Sequence, residues 1–138
     1  MRLHRFFVQT DLSGREVLIQ NPEILSQWRT VLRLGTGDSV ILCDGNGTEA
    51  EAVITSMDKK EAVLTIVSTD TPHREPTKKT TLYAALLRRE NFELVAQKAT
   101  ELGISRIVPI LTTRTVKTGF NRVRLEKIIT EACEQSGR

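Results

Sequence analysis

The apolar positions of this chain change period twice, and the changes outline its elements. Arg5-Phe6-Phe7-Val8 and Glu16-Val17-Leu18-Ile19 are short runs rich in residues that fit a pleated surface. The spacing then lengthens, with Ile24, Leu25, Trp28 and Leu32 at helical intervals. Asn21 is placed to cap that helix, Pro22 suits its first position, and Gly35 can close it. Three strands follow, Ser39–Cys43, Glu49–Ser56 and Ala62–Val67. Asp44-Gly45-Asn46-Gly47 supplies the positive-φ residues of a tight connection, and Met57–Lys60 makes the next turn. Many short strands with one helix predict a small β-barrel-like module.

The stretch Asp70–Thr77 holds Pro72 and Pro76 among polar neighbours and fits neither a helix nor a central strand. It divides the chain into a first domain over residues 1–71 and a second over 72–138. The pattern then changes. Leu82–Leu87 is an uninterrupted apolar run, as in a strand buried on both faces. Glu90–Leu102 is helical, with Phe92, Val95, Ala96 and Ala99 on one face and Gly103 as the stop. Arg106–Leu111 is the next strand. This order predicts a parallel βαβ unit with a right-handed crossover. Asn121 caps a last helix that turns Leu125, Ile128, Ile129, Ala132 and Cys133 inward and ends at Gly137. Two strands are too few to cover both helices, and a doubly wound domain needs about two or three more. The fold class is therefore α/β (α+β overall), with an incomplete second domain.

Bulk properties add limits. At 138 residues the chain is one ordinary domain or two small ones. A unit of roughly 60 residues buries only about 60 % of its unfolded surface. No run approaches the roughly 18 apolar residues of a membrane span, and the basic start has no apolar run behind it, which argues against a signal peptide. Cys43 and Cys133 lie far apart without CxxC partners, which favours a reducing, cytoplasmic setting and disfavours zinc. The formal charge of +3 hides an asymmetry. Residues 1–70 carry 7 Lys and Arg against 10 Asp and Glu, a net of −3, whereas residues 71–138 carry 13 against 7, a net of +6. A basic segment of this size suits a polyanion, and equally a solvated surface.

The candidate chemistry lies mostly in arginines. There is no nucleophile elbow, P-loop, GxGxxG or metal-ligand cluster. His4 and His73, the only histidines, have no partner at recognisable spacing. Arg29 and Arg33 are i, i+4 on the first predicted helix and so share a face; Arg2 and Arg5 flank the first strand. The planar guanidinium fork suits phosphate, so these four are candidates for phosphate contact, with solvation as the alternative. Phe6, Phe7 and Trp28 could add stacking, although its periodicity puts Trp28 in the core. Arg88 and Arg89 follow the buried strand and Arg114 follows the next one, at the edge where open α/β sheets bind ligands. Glu131, Gln135 and Arg138 form a polar stripe on the last helix, facing solvent or protein that completes the domain.

Several motifs resemble those of the RsmE-type small-subunit ribosomal RNA uridine-N3 methyltransferases of the SPOUT superfamily. The resemblance runs from Met1-Arg2…Arg5-Phe6-Phe7 through Val31-Leu32-Arg33-Leu34…Gly37-Asp38 and Asp44-Gly45. It is most specific in Lys98-Ala99-Thr100-Glu101-Leu102-Gly103-Ile104, Pro109 and Glu131-Ala132-Cys133-Glu134-Gln135-Ser136-Gly137-Arg138. Two positions depart: Gln27-Trp28 stands where the family often has His, and Thr112-Thr113-Arg114 where it often has Ser-Glu-Arg.

The resemblance implies a PUA-like RNA-binding domain followed by the first part of a SPOUT α/β-knot methyltransferase domain. It implies a homodimer acting on small-subunit ribosomal RNA or the assembled small subunit. S-adenosylmethionine would sit in a deep trefoil knot whose residues are expected after Arg138, so the 138-residue chain alone is expected to be inactive. Neither a membrane nor a metal is implied. Arg88, Arg114 and Arg138 become candidates for positioning or charge stabilisation, with Glu131 and Gln135 orienting them. The competing readings are a non-catalytic RNA-binding module and a dimeric scaffold without RNA affinity.

Overall fold

The structure is a computed structural model and describes residues 3–116 and 119–138. It resolves into two compact units, Met1–His73 and Arg74–Arg138. Arg2 lies outside the described residues.

The first unit is a five-stranded sheet, with β1 (Arg5–Phe7), β2 (Glu16–Ile19), β3 (Ser39–Cys43), β4 (Glu49–Met57) and β5 (Ala62–Asp70). The spatial order is β1-β3-β4-β5-β2. Only β1 and β3 run parallel; the other pairs are antiparallel. Register shifts between Glu51 and Ala52 and between Ile54 and Ser56 bend the central pair, because an unopposed residue forces local coiling. The result is a curled half-barrel rather than a closed one, and β1 and β2 are its edges. Alternation puts Val17, Ile19, Val40, Leu42, Ile54 and Leu64 inside, where Phe6, Leu25 and Trp28 complete the core. Each such side chain contributes roughly 1.5–3 kcal/mol on burial. Trp28 is fully buried and meets Phe6 edge-on at 5.3 Å, so its ring is packing and not a stacking platform.

The helix of this unit differs from its sequence pattern. Asn21 does cap it, its side-chain oxygen accepting from the amides of Glu23 (2.9 Å) and Ile24 (3.3 Å), with Pro22 at the start. After α1 (Pro22–Ser26), however, the chain widens into a π-helical segment, Gln27–Leu32. Gly35 does not close it. Arg33 does, in the left-handed region at φ 56°. Arg29 and Arg33 therefore do not share the face of a regular α-helix, since a π turn holds more residues and Arg33 has already left it.

The second unit contains β6 (Thr81–Ala85), α2 (Arg89–Glu101), β7 (Arg106–Ile110) and α3 (Arg122–Ser136). The strands pair in parallel, from Thr81 opposite Arg106 to Ala85 opposite Ile110. Leu86, Phe92, Ala96 and Leu125 form its core, with Ala84, Ile107 and Ile129 packed against it. The apolar run of β6 is not buried on both faces: Tyr83 is 66 % exposed, because both helices share one core against the sheet. Asn121 caps α3 through Arg124 N (3.0 Å), and Gly137 ends it at φ 76°. No helix among the described residues is long and apolar enough to cross a membrane.

Candidate functional site

The two helices of the second unit run in the same direction. Glu93, early in α2, meets Arg124 in the first turn of α3 at 2.7 Å. At the other end, the carbonyl of Thr100 accepts from Arg138 at 2.8 Å. The amino ends of both helices thus lie together, beside the carboxyl end of β6. Arg88 is the exposed cap residue of α2, and Arg114 is exposed in the turn Thr112–Thr115 beyond β7. Both candidates therefore sit past the carboxyl ends of their strands, the edge where such sheets place ligands.

Glu131 and Gln135 are exposed on α3 and line an open cleft of about 370 Å³ with Glu90, Glu93, Leu94 and Gln97 of α2. Arg138 does not join them. Left-handed Gly137 turns the chain off the helix axis, and the Arg138 side chain, only 15 % exposed, folds back onto the domain. Its Nε and terminal nitrogen donate to the two Glu75 oxygens at 2.7 Å each. A second terminal nitrogen donates to the carbonyls of Thr100 (2.8 Å) and Ile104 (3.1 Å). Arg74 adds a bond to the Gly137 carbonyl at 3.0 Å. The hydrogen bond from Arg138 holds the Glu75 carboxyl below its ordinary range and raises the guanidinium above its own. Burial pushes the nearby Cys133 thiol up. The Arg138 guanidinium is therefore a clasp between the start of the unit and the last turns of α2 and α3.

In the first unit, Arg29 and Arg33 are exposed, whereas Arg5 is 16 % exposed with its Nε 3.6 Å from a Glu49 oxygen. Arg5 is thus partly committed to an internal ion pair. The Asp44 turn is a hairpin connection: its carboxylate accepts from Asn46 N (2.7 Å) and Thr48 N (3.0 Å). A second open cleft, about 380 Å³, lies between this turn and Val8–Leu12. His4 and His73 are exposed. Among the described residues, no group of three or more His, Cys, Asp or Glu could hold a metal ion.

The sequence pattern misses Glu75, Glu93 and Arg124. Arg89 and Glu93 are i, i+4 and so readable as a pair, at 2.9 Å. The link from Glu93 to Arg124 spans 31 residues and depends on how the helices pack. Both clefts are open to solvent.

Comparison with known proteins places this geometry. An RNA methyltransferase domain model matches residues 73–138, and an RNA methyltransferase PUA domain model matches residues 29–67. The ribosomal RNA small subunit methyltransferase E of Bacillus subtilis is 32 % identical over 114 residues, covering 78 % of this chain and 44 % of the relative. The crystal structure of that methyltransferase from Neisseria gonorrhoeae, bound to S-adenosyl methionine, superposes with a TM-score of 0.88. It is 28 % identical, over 99 % of this chain and 59 % of that one. A Legionella pneumophila methyltransferase structure in complex with its cofactor gives 0.89 at 29 % identity, over 100 % of this chain and 60 % of that one. The class so defined is an RNA methyltransferase domain joined to a PUA domain. Within it, the chain is similar along both units to the ribosomal RNA small subunit methyltransferases E. It spans about half the length of the relatives it matches.

Proposed function

We propose that this chain supplies the RNA-binding unit and part of the catalytic domain of an S-adenosylmethionine-dependent enzyme that methylates N3 of a uridine in small-subunit ribosomal RNA. The observation that carries the reading is the match of both units, in order, to structures of this family bound to the cofactor. The site is of the SPOUT type, and the enzyme works as a cytoplasmic homodimer. S-adenosylmethionine supplies the methyl group when bound, and the residues that enclose it belong to the rest of the domain.

The chain's own residues bear on the RNA. N3 lies on the pairing edge of uridine and carries a proton, so the base must be unpaired or extruded before it can react. Loss of that proton leaves negative charge on O2 and O4, which fixed cationic donors stabilise. Arg88 and Arg114, exposed at the carboxyl edge of the sheet, are suited to that role. Arg138 serves as a positioning residue through its clasp on Glu75, Thr100 and Ile104. Glu131 and Gln135 orient groups in the cleft between α2 and α3. Arg29 and Arg33, with Arg2 and Arg5, would hold phosphates.

The test is methyl transfer from labelled S-adenosylmethionine to small subunits by the full-length enzyme, followed by nucleoside mass spectrometry. N3-methyluridine is the expected product. A methylated base other than uridine would overturn the substrate assignment. For the 138-residue polypeptide by itself, calorimetry with S-adenosylmethionine is expected to show no binding. Micromolar affinity would contradict the view that the cofactor's enclosing residues lie elsewhere.

A further inference from the structure

Exposed arginines gather where the amino ends of α2 and α3 meet. Glu93, whose side chain is 14 % exposed, accepts from Arg89 Nε at 2.9 Å and from Arg124 Nε at 2.7 Å on the same oxygen. One carboxylate therefore fixes two guanidinium planes side by side while both side chains remain more than half exposed. Arg122, 83 % exposed, stands two residues before Arg124 and pairs with Glu126 at 2.7 Å. With Arg88, four arginines stand among Glu90, Glu93, Glu126 and Glu131, so the cluster is charge-balanced and its arginines are offered by exposure rather than by net charge. The first turn of α3 holds Arg122 and Arg124 and no acid. That is the reverse of what the helix dipole favours, and the pairs with Glu126 and Glu93 offset it.

An aromatic ring lies next to this cluster. Phe120 immediately precedes the cap of α3, packs on the buried Phe92 at 6.1 Å between ring centroids, and is itself 47 % exposed. A ring anchored on one side and open on the other, beside oriented cations, is the combination that binds single-stranded nucleic acid. Arginine contacts phosphate through its fork, and the aromatic face takes a base without regard to sequence.

We propose that the second unit has its own contact for single-stranded RNA at the carboxyl edge of β6, in which Arg89, Arg122 and Arg124 hold phosphates and Phe120 stacks a base. The inference rests on the RNA-methylation reading and deepens it, because an unpaired target strand needs a hold within the methyltransferase unit as well as on the PUA unit. Glu93 is the positioning residue of this contact.

The test uses the 138-residue chain and a fluorescein-labelled, unstructured RNA, with binding followed by anisotropy from low to high salt. Each phosphate contact on a single strand contributes about 0.7 to the log–log salt slope. The R89Q/R124Q double variant is expected to lower the slope by about 1.4, and R122Q by about 0.7. F120L, which keeps an apolar side chain against Phe92, is expected to weaken binding roughly tenfold with the slope unchanged. Thermal melts identify any variant that fails to fold. R122Q alters only an exposed pair, so it keeps the question open to test if the double variant is lost. Crosslinking of the wild-type chain to 4-thiouridine RNA gives an independent readout, with adducts expected within residues 119–124. If the wild type binds with a clear salt slope, but the variants match it and every adduct falls within residues 3–73, this contact is overturned and the RNA reading stands. If the wild type binds no RNA at low salt, the RNA reading fails and this inference fails with it.

Discussion

Arg138 grips Glu75 across 63 residues of sequence, with two parallel hydrogen bonds of 2.7 Å. The same guanidinium satisfies carbonyls at Thr100 and Ile104, so one side chain joins the start of the second unit to the last turns of both its helices. Its removal leaves those acceptors without their charged donor. R138Q is expected to destabilise the second unit by about 2–3 kcal/mol, as for a charged hydrogen-bond donor removed from a largely buried position. R138K should recover less than half of that, because an ammonium lacks the fork. Glu75 is 58 % exposed and screened by solvent, so E75Q is expected to cost only about 0.5–1 kcal/mol. Urea unfolding of the three variants checks the order. Equal losses for R138Q and E75Q would show that the pair, and not the carbonyl contacts, carries the clasp.

Acid should loosen the same unit. Hydrogen bonds from Arg138 lower the Glu75 carboxyl, and hydrogen bonds from Arg124 and then Arg89 lower that of Glu93, each from an ordinary value of 4.5. A depressed folded-state value means that the unfolded chain binds the proton more readily. The stabilisation is therefore complete above 4.5 and is lost as pH falls through the lower folded values. An E75Q/E93Q double variant should show a flatter acid limb of melting temperature against pH, with little change at neutral pH in its slope. An acid limb as steep as that of the wild type would assign the loss to other carboxylates.

Gly103 ends α2 at φ 86°, and a Cβ built there would lie 2.9 Å from Cγ of Pro76. Conformation and contact therefore both resist a side chain. G103A is expected to cost about 1–3 kcal/mol, from left-handed strain plus the shift forced on the proline. The companion P76A relieves the contact but not the strain. In thermal melts, the double variant should lie between wild type and G103A. A double variant no better than G103A would show that φ alone sets the cost.

The sequence pattern makes some of this legible and hides the rest for physical reasons. The caps Asn21 and Asn121 and the stops Gly103 and Gly137 are local signals, and each is found where the pattern puts it. The π-helical segment is not legible: Leu25, Trp28 and Leu32 fit an α-helix, and only hydrogen bonding distinguishes the wider turn. The apolar run of β6 reads as two-sided burial because period cannot tell which protein covers the outer face. Arg138 reads as part of a stripe with Glu131 and Gln135 if the helix is extended through Gly137. The left-handed turn there, and a partner 63 residues away, remove it from that stripe. The carboxyl-edge arginines Arg88 and Arg114 follow from strand order alone, whereas the Glu93–Arg124 link required the packing of two helices.

Arg33 offers the clearest separation of stability from function. It is the one non-glycine residue at positive φ among the described residues, at 56°, and it closes the π-helical segment with its backbone amide donating to Trp28 O. Left-handed backbone costs a side-chain-bearing residue roughly 1 kcal/mol that glycine does not incur. Glycine also gives the unfolded chain more freedom, which offsets part of the gain. R33G is therefore expected to raise stability slightly, by about 0.5 kcal/mol. If Arg33 holds a phosphate, the same change removes one contact, and the salt slope for single-stranded RNA should fall by about 0.7. A more stable protein with weaker, less salt-sensitive binding would show that this strained arginine is retained for its side chain. Unchanged RNA affinity would assign Arg33 to solvent and remove it from the proposed phosphate-binding set.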